Sequence, residues 1–231
     1  MKHFPGFERL YELHDPMASR PYRGKFEYDG GFKLSRYEAT VDRSVRVVWA
    51  MGSSTPSDVV WTTSGYPLIV SSRVIELLEM NKLTGWTTYP VDVFDKRDKP
   101  CTGYAGLAVV GRCGRIDLAS SRIILREYPG GSFPRFLGHF FERESWDGVD
   151  FCCDSPDHKG NASMTRIVTE EVVALFKRHR ISNIRCERLT EVSVDTSVYE
   201  MGLGYLLPKD FKARVASAYD AVGVAPPESY R

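Results

Sequence analysis

Residues 68–91 read LIVSSRVIELLEMNKLTGWTTYPV, and residues 166–189 read RIVTEEVVALFKRHRISNIRCERL. Laid over each other at an offset of 98 positions, Ile69/Ile167, Val70/Val168, Val74/Val172 and Leu77/Leu175 are identical. Ser71/Thr169, Ile75/Val173, Leu78/Phe176, Lys82/Arg180, Leu83/Ile181, Thr84/Ser182 and Gly85/Asn183 match in kind. In each stretch a short apolar run meets a hydroxyl residue able to cap a helix, and apolar side chains then recur at i, i+3 and i+4. A cation follows the helix, and Gly85 or Asn183 can take the positive φ that turns the chain into an extended segment. The pattern predicts one strand-helix-strand unit used twice.

Outward from these units the chain predicts an α+β fold with a mixed or antiparallel sheet, a β-rich lead-in and a C-terminal helix. Residues 1–60 are aromatic, Gly-rich and without helical periodicity; within them 45–51 is the clearest strand, with 26–28 and 32–34 as weaker candidates around Asp29-Gly30-Gly31. They are expected to pack on a core spanning 61–195, after the linker GSSTPSD at 52–58. Val91 and Val93, a polar turn at 96–100 and a strand over 104–110 suggest a hairpin, and 123–125 suggests a further short strand before Pro129-Gly130-Gly131. In the extension 196–231, Pro208 suits a first helical position, and Phe211, Val215, Ala218 and Val222 share one face of a closing helix over 208–222. Residues 225–231 read as a loose tail.

A chain of 231 residues with 42% hydrophobic content can bury a full core. Its formal charge of +1 gives no global field toward nucleic acid or a membrane surface. The absence of a signal segment and of a long apolar run leads to the expectation of a cytoplasmic protein, and five cysteines without framework spacing agree with reduced thiols.

The compositional anomaly is 142–157, ERESWDGVDFCCDSPD, where Glu142, Glu144, Asp147, Asp150, Asp154 and Asp157 stand against Arg143 alone. With Trp146 as an aromatic anchor, such a cluster fits an interface aimed at a basic protein partner. The alternative is a loop whose Trp146 and Phe151 turn inward. Cys152, Cys153, Asp154, Asp157 and His158 crowd together without metal-site spacing, so no metal and no cofactor is expected. Cys153 with His139 or His158 could be drawn as a nucleophile and base, but nothing in the spacing singles that pair out, and no catalytic residue is assigned. Gly111-Arg112-Cys113-Gly114 lacks phosphate-loop spacing and reads as a tight turn between strands.

Taken together, PLIVSSRVIELLEMNKLTGWTTYPVDVFDK, GYAGLAVVGRCGRID, ESWDGVDF and ISNIRCERL resemble the immunity protein 11 family, over roughly 64–194, with LYELHDP a looser match near the start. The resemblance implies a bacterial, cytoplasmic, non-catalytic protein that binds and neutralises a cognate toxin of a polymorphic or contact-delivered toxin system. It implies no catalytic residue set, and the toxin's activity does not transfer. Two other classes stay open: a small cytoplasmic enzyme with a polar pocket around Arg112, Arg115 and His139, and a scaffold or regulator that self-assembles, for instance as a homodimer, through its repeats.

Overall fold

The computed structural model describes residues 3–28, 31–35, 38, 41, 43–63, 67–154 and 165–230. The strands are β1 (Leu10–His14), β2 (Arg23–Phe26), β3 (Val45–Met51), β4 (Val59–Thr62), β5 (Leu68–Ser71), β6 (Trp86–Phe94), β7 (Pro100–Cys101), β8 (Tyr104–Val109) and β9 (Gly111–Cys113). They continue as β10 (Arg122–Tyr128), β11 (Gly131–Leu137), β12 (Phe151–Asp154), β13 (Ile167–Thr169), β14 (Arg185–Arg188) and β15 (Ser193–Asp195). The helices are α1 (Gly31–Ser35), α2 (Ser72–Met80), α3 (Glu170–Arg178), α4 (Ser197–Glu200) and α5 (Phe211–Asp220).

Strands β3-β2-β4-β5-β8-β6 lie side by side, and a parallel pairing of β3 with β6, from Val45↔Val91 to Val47↔Val93, closes them into a six-stranded barrel. Alternation fills it. Val45, Val47, Val60, Ile69, Tyr89, Val91, Val93 and Ala108 form the interior with Tyr22 and Leu34, while the residues between them face outward. The strand expected at 45–51 is present, but 32–34 is helical, being part of α1, and 52–58 joins two barrel strands instead of separating domains.

A second sheet runs β14-β1-β13-β12-β9. Residues 1–60 thus enter both sheets as interior strands: β1 lies between β13 and β14, and β2 between β3 and β4. Gly111–Cys113, expected as a turn, is an edge strand parallel to β12.

The two strand-helix-strand stretches have the same local geometry. Their helices start and end 98 positions apart, Asn81 and His179 close them with φ/ψ of −91°/5° and −93°/5°, and Lys82, Arg180, Gly85 and Asn183 all have positive φ. In both, an antiparallel strand from elsewhere separates the flanking pair: β8 lies between β5 and β6, and β1 between β13 and β14. Their outward faces share one core, in which Val59, Trp61, Leu68, Val70, Val74 and Leu78 meet Tyr11, Leu13, Phe151, Val168, Val172 and Phe176.

Each stretch grips the other through an aspartate just before a strand. Asp58 accepts from Ser71 Oγ of its own unit (3.3 Å) and from Ser182 N–H and Oγ of the other (3.3 Å each). Asp150 accepts from Thr169 Oγ1 of its own unit (3.2 Å) and from Thr84 N–H (2.9 Å) and Oγ1 (3.0 Å) of the other. Ser71 and Thr169 do occupy the N-cap positions, but their hydroxyls serve these aspartates and make no cap bond to the helices. At the crossing Gly85, with φ of 89°, lies so close to Phe151 that a Cβ there would come within 2.1 Å of its carbonyl oxygen.

The third sheet, β10-β11-β15, is a seven-pair hairpin with one short strand added, and α5 packs on it through Phe211, Val215 and Tyr219. The strand expected at 123–125 extends over Arg122–Tyr128, and the closing helix begins after Asp210 rather than at Pro208. The tail expected to be loose is docked: Tyr230 Oη bonds the Glu200 carboxylate at 2.9 and 3.0 Å, and its ring meets Phe211 at 6.1 Å.

Candidate functional site

The structure divides the acidic segment. Trp146 is 8% exposed and packs with Phe4, Phe141 and Val149; its ring meets Phe4 edge to face at 5.7 Å. It turns inward, as Phe151 does, because Phe4, Phe7 and Phe141 supply an aromatic pocket, so Trp146 does not project as an anchor. Asp150 is fully buried in the clasp just described, and Asp154 is 1% exposed. Neither carboxylate is presented to a partner, which corrects the expectation for both. Asp157 lies outside the described residues, as does His158. Glu142, Glu144 and Asp147 remain on the surface: Glu142 pairs with Arg115 at 3.1 Å, Glu144 with Arg143 at 2.8 Å, and Asp147 accepts from the Arg112 backbone N–H at 2.7 Å.

Asp154 belongs instead to a polar chain over one face of the second sheet, buried at Asp154, His139 and Cys113 and half-buried at Glu12, His14 and Glu187. On β1 the pleat sends Tyr11 and Leu13 into the shared core and leaves Glu12 and His14 on the other face. His139, brought in by its N–H bond to Leu189 O, sits between two carboxylates, with Nε2 at 3.3 Å from Asp154 and Nδ1 at 3.6 Å from Glu12. Glu12 also faces His14 Nδ1 at 3.5 Å, and His14 Nε2 lies 3.7 Å from Glu187. At the inner end the Cys113 thiol points at Asp154 Oδ1 at 3.6 Å. Burial by itself would push His139 down, but Asp154 and then Glu12 outweigh it and hold the imidazole well above its ordinary value, as a cation. The same carboxylates, after burial, push Tyr199 up to about 12.

A hydrogen bond with Cys152 and burial drive the Cys113 thiol far up, so it stays protonated, and a thiol is a poor nucleophile. Cys153 cannot pair with His139, because the strand pleat turns it to the opposite face of β12, where Arg112 Nη1 lies 3.0 Å from its sulfur. No group of three or more His, Cys, Asp or Glu side chains is placed to hold a metal ion among the described residues. On that opposite face lies Arg166, 7% exposed, stacked 5.5 Å from the Trp61 ring and lowered by burial to about 10. The sequence held no signal for these groupings, since Glu12, His139 and Asp154 come from three distant segments. Iodoacetamide at pH 7.5 is expected to leave Cys113, Cys152 and Cys153 unmodified in the folded chain and to label all five cysteines in urea; rapid native labelling of Cys113 would contradict the buried thiol.

An open cleft of 510 Å³ borders the acidic segment, lined by His3, Phe4, Arg143, Glu144 and Trp146. The Trp146 indole N–H is buried and makes no hydrogen bond to any described residue. A second groove of 440 Å³ lies between Asn81, Lys82 and Leu83 after α2 and Glu171, Ala174, Leu175 and Arg178 on α3. Among the described residues no helix is long and apolar enough to cross a membrane. No protein-family model and no curated protein matches the sequence, so the resemblance to the immunity protein 11 family rests on the quoted residues alone.

Proposed function

We propose that the chain acts by stoichiometric binding of a protein partner, as a bacterial cytoplasmic immunity protein that neutralises a cognate toxin. The observation that carries the reading is the cleft beside Trp146, lined by the Phe4 and Trp146 rings and by the exposed Arg143–Glu144 ion pair, with the exposed Glu142, paired to Arg115, two residues before Glu144 in the chain. Trp146 is the floor that receives a partner side chain instead of the anchor that inserts into one. Exposed pairs such as Arg115–Glu142 and Arg143–Glu144 are worth about 0–1 kcal/mol, so a partner's Lys or Arg can displace either arginine at little cost. The two strand-helix-strand units, which we read as one motif used twice, form the rigid frame behind this surface.

Of the groups considered for the enzyme alternative, Cys153 and His139 do not come together, since they lie on opposite faces of β12. The test is binding to the toxin encoded beside this chain, prepared as an inactive variant. Glu142→Lys with Glu144→Lys is expected to slow association severalfold at low salt, with the difference shrinking as ionic strength rises. Unchanged association by a folded double variant would remove this surface from the account.

A further inference from the structure

The hairpin of the third sheet carries a second surface of opposite character. Pairing from Arg122↔Leu137 to Tyr128↔Gly131 puts Arg122, Ile124, Arg126 and Tyr128 on the same side as Phe133, Arg135 and Leu137. The other side, with Ile123, Leu125 and Phe136, is taken by α5. On the first side Arg122 and Arg126 are exposed, and Tyr128 and Phe133 keep 41% and 44% of their surface in solvent. Soluble chains leave single apolar residues exposed without consequence, but two aromatic rings beside arginines on one strand face have the composition of an interface centre.

The face is also preorganised. Tyr128 and Phe133 meet edge to face at 5.9 Å, and the Arg126 guanidinium lies 5.5 Å from the Tyr128 ring. Arg135 is fixed by donating to Ser193 Oγ and Ser193 O at 2.6 Å each, and Asp195 at 3.6 Å answers its charge. Arg122 and Arg126 have no ion-pair partner among the described residues. They stand four positions apart on one strand, about 13 Å, with the half-buried Ile124 between them.

We propose that this face docks an acidic protein segment in extended form. Two carboxylates two residues to either side of an apolar side chain meet Arg122 and Arg126, the apolar group lies over Ile124 between them, and the next apolar side chain along the same face meets the Tyr128–Phe133 pair. Extended chain repeats its side-chain direction every second residue, so a segment with carboxylates four positions apart matches the spacing of the two arginines. The cleft at Trp146 suits a cationic partner; this face suits an anionic one, so the inference stands beside the toxin reading and survives its failure.

The test is fluorescence anisotropy with a labelled eight-residue peptide, Glu-Ser-Leu-Ser-Glu-Ser-Leu-Ser, which puts glutamate and leucine in turn on one face of an extended chain, compared with its counterpart carrying lysine for glutamate and with a labelled oligouridine. The glutamate peptide is expected to bind saturably, the lysine peptide not at all, and Arg122→Glu with Arg126→Glu to weaken binding at least tenfold. Tyr128→Ser with Phe133→Ser is expected to weaken it at all salt concentrations, with native circular dichroism in both double variants. Absence of saturable binding, equal binding of the lysine peptide, indifference to the arginine reversals, or tighter binding of oligouridine at 150 mM salt would each overturn the proposal.

Discussion

His139→Leu is expected to lose about 3–5 kcal/mol of folding stability, because it leaves the Asp154 carboxylate, 1% exposed, without the cation that faces it at 3.3 Å. Removing one partner of a buried ion pair costs more than the pair itself is worth, since the remaining charge keeps its desolvation penalty. The effect also has a pH signature. His139 is raised in the folded chain above its unfolded value of about 6.5, so its contribution is complete below that pH and disappears as pH rises through the folded value. Urea titrations at pH 6 and at pH 9 measure this. The wild type should lose part of its stability between the two, and the variant should lack that component. A variant within about 1 kcal/mol of the wild type at pH 6 would mean that no buried imidazolium holds this core.

Asp150→Ala is expected to cost about 3 kcal/mol or more, whereas Glu144→Lys should stay within about 0.5 kcal/mol. Both carboxylates come from the same acidic run, and only their surroundings separate them. Asp150 is the acceptor for Thr84 N–H, Thr84 Oγ1 and Thr169 Oγ1, three donors that tie the two strand-helix-strand units together, while the Glu144 side chain is 73% exposed. Thermal denaturation of the two variants decides the matter. Equal, small effects would return Asp150 to the surface role first expected of it.

The local structure was largely legible in the sequence. Periodicity, hinge and breaker residues placed α2 and α3 within a residue or two, and the β-branched and aromatic stretch VRVVWAM marked β3. What depended on distant pairing was not legible. β1 is short and carries the half-buried Glu12 and His14 on its second face, so it has no simple apolar run to announce it, and the closure of the barrel rests on a parallel match of β3 with β6. The acidic segment misled for the same reason. A run of carboxylates suggests a solvated surface only while its partners are unknown, and the partners of Asp154 and Asp150 include His139, Cys113, Thr84 and Thr169, with Glu12 reached through His139 from near the chain's start. Trp146 was equally ambiguous until Phe4 and Phe141 were seen to close over it.

The proposed inhibition by one-to-one binding is tested most directly by titrating, with this chain, the activity of a candidate toxin sought in the product of the gene directly upstream. The account predicts a linear fall in toxin activity that reaches its floor at one equivalent. Full protection at a small fraction of an equivalent would show turnover, and undiminished activity of a soluble toxin in the presence of excess folded chain would show that the two are not partners; either result contradicts the account.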